Sequence, residues 1–198
     1  MKAKKILSVL IVALLFSSCV VFSFYPIYTG KDLFPNEILT GKWMDEDSTF
    51  WTFEHPYKGE KVPENIDSTS YILHTQDKDN KETEFDVHII KLEGHYIVDF
   101  FLEDFDGYDD LGIAAFHIVP VHTFAKLTVG DNEIKFNWFD PEWLKELIEA
   151  NKIRIHHEDN GESVLLTAKA NELQKFVKKY VEEEDAFDDG VDLSLTRK

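Results

Sequence analysis

Eight histidines and thirty-eight acidic residues give this chain material for metal binding and acid–base work, but their spacing narrows both. His156 and His157 are adjacent, so on a strand they point to opposite faces and cannot chelate one ion together. His117 and His122 flank Pro120 at a separation of five, which matches neither a helix face nor a strand face. Asp86 and His88 share a strand face and could meet Asp99 across a hairpin; the expectation there is a solvated polar sheet face. The run Asp104-Phe-Asp106-Gly107-Tyr-Asp109-Asp110 gathers carboxylates around a glycine, and calcium takes six to eight oxygens. Its glycine directly follows the second acid and no glutamate closes the loop, unlike an EF-hand. Asp104, Asp106, Asp109 and Asp110 are therefore calcium candidates set against a solvated acidic turn, and no metal or cofactor is expected. There is no G-x-S-x-G element and no glycine-rich phosphate loop, and carboxylates are too numerous to single out a glycosidase-like pair. An enzyme is not expected.

The only cysteine, Cys19, sits just past a secretory-type leader. Lys2, Lys4 and Lys5 form a positive n-region, Ile6 to Phe16 is apolar except for Ser8, and Ser17-Ser18 supply small residues for cleavage. Leu15-Phe16-Ser17-Ser18-Cys19 resembles a bacterial lipobox, in which the thiol takes a diacylglyceryl group and the cysteine becomes the new N-terminus. Phe16 stands where that pattern has leucine. Two other readings are open. No charge occurs from Ile6 to Gly30, enough residues for an uncleaved membrane span, and plain secretion after cleavage is the third. The lysines favour a cytoplasmic N-terminus in each case, which leaves the rest of the chain outside the cytoplasm. The expected address is the cell envelope, with a lipid anchor of palmitate-type chains on Cys19. With no other thiol, disulfides and thiolate zinc sites are excluded, and the domain must be stable through its core alone. At roughly 180 residues after the leader it is long enough for that.

Formal net charge is −17, a surface that repels nucleic acid and anionic headgroups. The densest basic run, Lys175, Lys178 and Lys179, is spaced as one helical face. Solubility is the simplest reading of the acidity, attraction for cations or basic partners the sharper one. No nucleic-acid partner is expected, and oligomeric state is not legible.

The pattern of the elements predicts a mainly β fold with two late α-helices. Val20 to Phe24 is apolar and suits a membrane interface, while Tyr28 onward should pack on the domain. Phe50–Phe53 and Ser70–His74 read as short strands. From Lys81 to Leu92, Phe85, Val87 and Ile89 alternate with Glu84, Asp86 and His88, the period of a half-buried strand. Glu93-Gly94-His95 turns it into Tyr96–Leu102, with Tyr96, Val98, Phe100 and Leu102 on one face. Ile113–Val119 and Val121–Val129 read as strands divided by Pro120, and Ile134–Phe139 as another. Asp140 and Pro141 open a helix with an apolar stripe of Trp143, Leu144, Leu147 and Ile148. A last hairpin turns at Asp159-Asn160-Gly161. The final helix, Asn171–Glu184, has Gln174 as capping-box partner and buries Leu173, Phe176, Val177 and Tyr180. An antiparallel meander closed into a calycin-like barrel, or a strongly curved sheet, with the C-terminal helix packed on it fits this order. The expected organisation is a signal peptide over 1–18, a lipidated tether and strap over 19–38, one β-rich domain over 39–187 and a disordered acidic tail over 188–198.

Several segments, in order, carry a resemblance: Tyr25-Pro-Ile-Tyr-Thr, Leu39-Thr-Gly41-Lys-Trp43, Trp51-Thr-Phe53, Leu92–Val98, Pro120-Val-His122-Thr-Phe, Asp140-Pro-Glu-Trp143-Leu, and Leu166-Thr-Ala168 with Glu172-Leu-Gln174. Together they resemble a family of uncharacterised bacterial envelope lipoproteins over nearly the whole mature chain. Leu-x-Gly-x-Trp also looks like the opening of calycin (lipocalin-like) barrels, in which a tryptophan closes one end. The first likeness implies an address and an architecture, but no catalytic residues. Small barrels either fill their interiors or hold one ligand. Trp43, Trp51, Tyr71, Tyr96 and Trp138 are the candidate lining of a site for a small apolar or lipid-like ligand. The alternative is a structural or protein-interaction lipoprotein with a filled barrel and an exposed apolar patch.

Overall fold

The computed structural model describes residues 20–56, 67–161 and 163–198. The signal peptide expected at 1–18 and the anchor expected at Cys19 lie outside the described residues. The fold is mainly β, 39% strand and 19% helix, built on a closed antiparallel barrel of eight strands. Those strands are β2 (Gly41–Met44), β3 (Phe50–Glu54), β4 (Tyr71–Gln76), β5 (Glu82–Leu92), β6 (His95–Phe105), β7 (His122–Val129), β8 (Glu133–Trp138) and β11 (Asp192–Arg197). Each pairs with its neighbour in chain order, and β11 lies between β8 and β2 to complete the circle. The β5–β6 hairpin is its longest ladder, from Thr83 opposite Phe105 to Leu92 opposite His95. Its turn needs residues that accept positive φ, and Glu93 and Gly94 adopt 48° and 93°.

The tail expected to be disordered is the closing strand. Leu193 and Leu195 alternate with polar neighbours, and Leu195 is fully buried inside the barrel. The burial of this face outweighs the acidic composition around it.

Helix α1 (Pro141–Glu149) starts as its sequence dictates. Asp140 caps it by accepting from the Glu142 amide at 2.8 Å, and Pro141 occupies the first turn. Helix α2 (Ala170–Tyr180) forms without the expected capping box. Its Gln174 instead donates to the Ile27 carbonyl at 2.9 Å and to Asp32 at 3.1 Å, tying the helix to the N-terminal strap.

Two apolar clusters result. One fills the barrel, with Trp43, Phe53, Tyr71, Phe100, Phe136 and Trp138 as its rings. The other lies outside it, where α1, α2 and the strap cover Ile90, Ile97 and Phe124 on the outward face of β5–β7. The strap begins in β1 (Phe22–Ser23), which pairs antiparallel with β7 and parallel with β10 (Val164–Leu166). β10 in turn pairs with β9 (His157–Asp159). This corrects the interfacial placement of Val20–Phe24 at Val21 and Ser23, which are buried where Phe22 and Ser23 pair with Thr123 and His122 of β7, while Phe24 is exposed. Phe22 and Ser23 lie in β1, and no helix among the described residues is long and apolar enough to cross a membrane.

One further expectation fails. Residues Asp109–His117 are two 3-10 turns kinked at Gly112, rather than a strand. β6 and β7 pair with each other directly, so the intervening apolar run has no ladder to join.

Candidate functional site

On the outward face of β5–β7, four titratable side chains gather beneath the strap. His88 and Asp99 are directly opposed across the β5–β6 ladder, and Asp86 lies two residues from His88 on the same face. The face is covered at Asp99 and His88 and partly open at Asp86. Asp99 is 1% exposed; one carboxylate oxygen accepts from the Ile27 amide at 2.9 Å and the other meets His122 Nδ1 at 2.7 Å. Tyr28 stacks on His88 with centroids 4.2 Å apart, and Phe101 leans on His122 at 4.6 Å. The chain had to lay residues 25–29 across β6 because Ile27 is fully buried there, and Asp99 satisfies the amide that this burial strands.

The electrostatics follow from that cover. Burial holds the His88 imidazole below its ordinary range, against the pull of Asp86, Asp99 and Asp67. Burial raises the Asp86 carboxyl, with His88 opposing and Asp99 reinforcing the shift. Burial, then the Asp99 and Asp86 carboxylates, drive the Tyr28 phenol well above the usual range of tyrosine. The Asp99–His122 pair has the form of an oriented imidazole, but the nearest hydroxyl across the β1–β7 ladder, Ser23, donates to the Tyr25 carbonyl at 2.7 Å. Among the described residues no three of His, Cys, Asp and Glu are placed to hold a metal. The cluster fastens the strap. Sequence reasoning reached Asp86, His88 and Asp99 but missed His122. The available signal was a lone carboxylate inside the apolar run Tyr96–Leu102, which marks a buried acid in need of a partner.

The aromatic candidates separate. Trp43, Tyr71 and Trp138 belong to the barrel core. There Phe100 meets Phe136 and Trp138, both at 5.4 Å, and Phe53 meets Tyr71 at 6.3 Å. The Trp43 indole donates to the Leu39 carbonyl at 2.8 Å, and Trp138 to the Thr123 hydroxyl at 3.3 Å. Tyr71 donates to the Asn36 carbonyl at 2.9 Å, and burial pushes its phenol up to about 12. Trp51 is half-buried and donates to Asp45 at 3.0 Å, whereas Tyr96 lies 5.4 Å from the Lys91 ammonium. The rings pack on one another, which gives the interior the character of a core.

In the acidic loop, Asp106 accepts from the Glu82 amide at 3.0 Å and its own amide donates back to the Glu82 carbonyl at 2.9 Å. Asp104 accepts from the Phe105 amide at 2.8 Å, and Asp110 is exposed. Asp109 opens the 3-10 segment. Asp104 and Asp106 thus terminate the hairpin through backbone bonds. Immediately after them the chain exposes large apolar side chains: Ile113 at 76%, Phe116 at 84% and Val119 at 62%, with Ile118 and Tyr108 partly so.

No family, curated protein or solved structure matches this chain.

Proposed function

We propose that this chain is an envelope lipoprotein, anchored through Cys19, whose calycin-like barrel is a packed scaffold that engages a protein partner through the apolar segment 108–119. The observation that carries the reading is the exposure of Ile113, Phe116 and Val119 on a chain whose barrel interior is occupied by its own rings. Apolar groups of that size left in water on an otherwise acidic surface mark a contact site. Acidic residues border the segment, so a partner with a basic rim around an apolar centre fits it best. The leader and lipobox-like stretch support the anchor, and two acyl chains hold a protein stably where one does not. The eight-strand closure is compatible with a ligand-holding barrel, the reading first expected for Trp43, Trp51, Tyr71, Tyr96 and Trp138. The packing of Tyr71 against Phe53, and of Trp138 against Phe100 and Phe136, favours the interaction reading.

A photo-crosslinking residue at position 116 of the full chain in its own membranes tests the contact. The expected result is a discrete protein adduct that Ile113→Ser abolishes and that the same probe at position 146 does not form. Adducts to lipid alone, or equal yields at the two positions, reject the partner. The anchor is tested separately: membrane-extracted protein with an unmodified Met1 and no acyl mass on Cys19 rejects it.

A further inference from the structure

Helix α2 and the segment Lys152–Ile155 enclose a groove of about 220 Å³ on the outer side of the helical layer. Its apolar floor consists of Ile155, Phe176 and Tyr180, all buried, with Ile153 partly so. Its rim carries Lys152, Arg154, Lys175 and Lys179 against a single carboxylate, Glu172. On a chain with 38 acids and 21 bases this is an inversion of the prevailing sign.

The carboxylate is already engaged: Glu172 accepts from the His156 amide at 2.8 Å and pairs with His156 Nδ1 at 2.8 Å. Of the rim cations, Lys175 acts on that carboxylate through space, and none closes an ion pair with it. Lys178, on the next face of α2, pairs with Glu93 at 3.7 Å, yet no ion pair is made by Lys152, Arg154 or Lys175 among the described residues. Lys179 donates to the Tyr180 hydroxyl at 2.7 Å, which holds its ammonium at the rim over the aromatic floor. Four like charges held around one depression repel one another, and an anion set among them removes that cost. Drug-sized pockets run from about 300 to 1,000 Å³, so the occupant is smaller than those.

We infer that this groove binds a small amphipathic anion, a phosphate or carboxylate borne on a short aliphatic or aromatic group. The charged end lies among Arg154, Lys175 and Lys152, and the apolar end rests on Phe176 and Ile155. The chemistry is shared by a free aryl or alkyl phosphate and by the head of an anionic lipid. The inference does not depend on the Cys19 anchor or on segment 108–119.

The test is calorimetric titration of the full chain, held in phosphatidylcholine nanodiscs, with phenyl phosphate. Saturable binding is expected, at least tenfold weaker for the Arg154→Gln/Lys175→Gln double variant and unchanged for Lys78→Gln in the β4–β5 turn. Phenol, which lacks the charge, and inorganic phosphate, which lacks the ring, should each bind at least tenfold more weakly than phenyl phosphate. Exchanging part of the phosphatidylcholine for phosphatidylglycerol separates the sources: competition with phenyl phosphate assigns the groove to a lipid head, and undiminished binding assigns it to a free anion. Absence of saturable binding, or equal loss in the double variant and Lys78→Gln, overturns the inference.

Discussion

The Arg197 guanidinium lies 4.2 Å over the Trp43 ring and donates to the Thr40 carbonyl at 3.2 Å. This contact joins the closing strand of the barrel to its opening one where the ladder is shortest, with only Thr196 opposite Met44 and Arg197 opposite Trp43. It also explains the glycine two residues before the tryptophan. Gly41 has φ of +122°, and a Cβ there would stand 2.9 Å from the Arg197 guanidinium. Arg197→Ala should cost about 1–2 kcal/mol, from a cation–π contact and one hydrogen bond. Gly41→Ala should cost about 1–3 kcal/mol through backbone strain. Urea midpoints of the two variants check this, and a Gly41→Ala protein as stable as its parent contradicts the account.

Leu195 is fully buried in the barrel although it lies in an acidic terminal stretch. Leu195→Ala should destabilise by about 2–5 kcal/mol, the range for a buried leucine. Removing residues 191–198 takes away β11 and should abolish the cooperative thermal transition. If that deletion melts like the full chain, the strand has no structural role.

Asp99 holds the strap by accepting from the Ile27 amide. Asp99→Ala leaves that buried amide without its partner, at about 1–3 kcal/mol, and should speed hydrogen exchange at Ile27. Asp99→Asn keeps an acceptor and should preserve much of the protection at Ile27 while weakening the link to His122. Equal exchange in the two variants would argue against the carboxylate as the fastening.

His88 sets a pH dependence whose sign is fixed by its burial. Its folded-state value is depressed, so its contribution is complete above about 6.5 and is lost as pH falls through the folded value. Asp86 acts oppositely: raised in the fold, it favours the folded state below the ordinary aspartate value and loses that effect as pH climbs through its own. Tyr28, Asp86, Asp99, Asp67 and His122 are the titratable groups that act on His88. Chemical denaturation at pH 7 and pH 5 should show a smaller loss for His88→Gln than for the parent, and a larger one for Asp86→Asn. A parent whose stability is flat across this interval, with both variants alike, removes the assignment.

The elements legible in the sequence are those whose local signals agree with their burial. The β5–β6 hairpin shows period-2 alternation on both arms and a turn that accepts positive φ. Helix α1 carries its own cap in Asp140-Pro141. Asp192–Arg197 was obscured because two leucines in six residues are a faint period, and only the vacancy between β2 and β8 gives them a face to bury. Residues 113–119 misled in the opposite direction. They are apolar enough for a strand, yet β6 and β7 have already satisfied each other. Of the functional surfaces, the Asp86, His88 and Asp99 grouping was legible from spacing. The cation rim of the α2 groove was only half so, since Lys175 and Lys179 share a helix but Lys152 and Arg154 reach them through tertiary packing.

The placement of β11 also governs how the chain comes to be folded. Between β8 and β11 stand α1, β9, β10 and α2, some fifty residues that belong to the outer layer. Until residue 197 has been synthesised, β2 and β8 are free edges, able to accept a strand from a neighbouring chain. Closure then joins Gly41–Met44 to a partner at the far end of the sequence, a contact of very high order and correspondingly slow. The interval between making β8 and capturing β11 is therefore when a nascent copy is most exposed to mispairing. A holding factor acting on that open sheet would raise the yield of native protein more than one acting on the finished barrel.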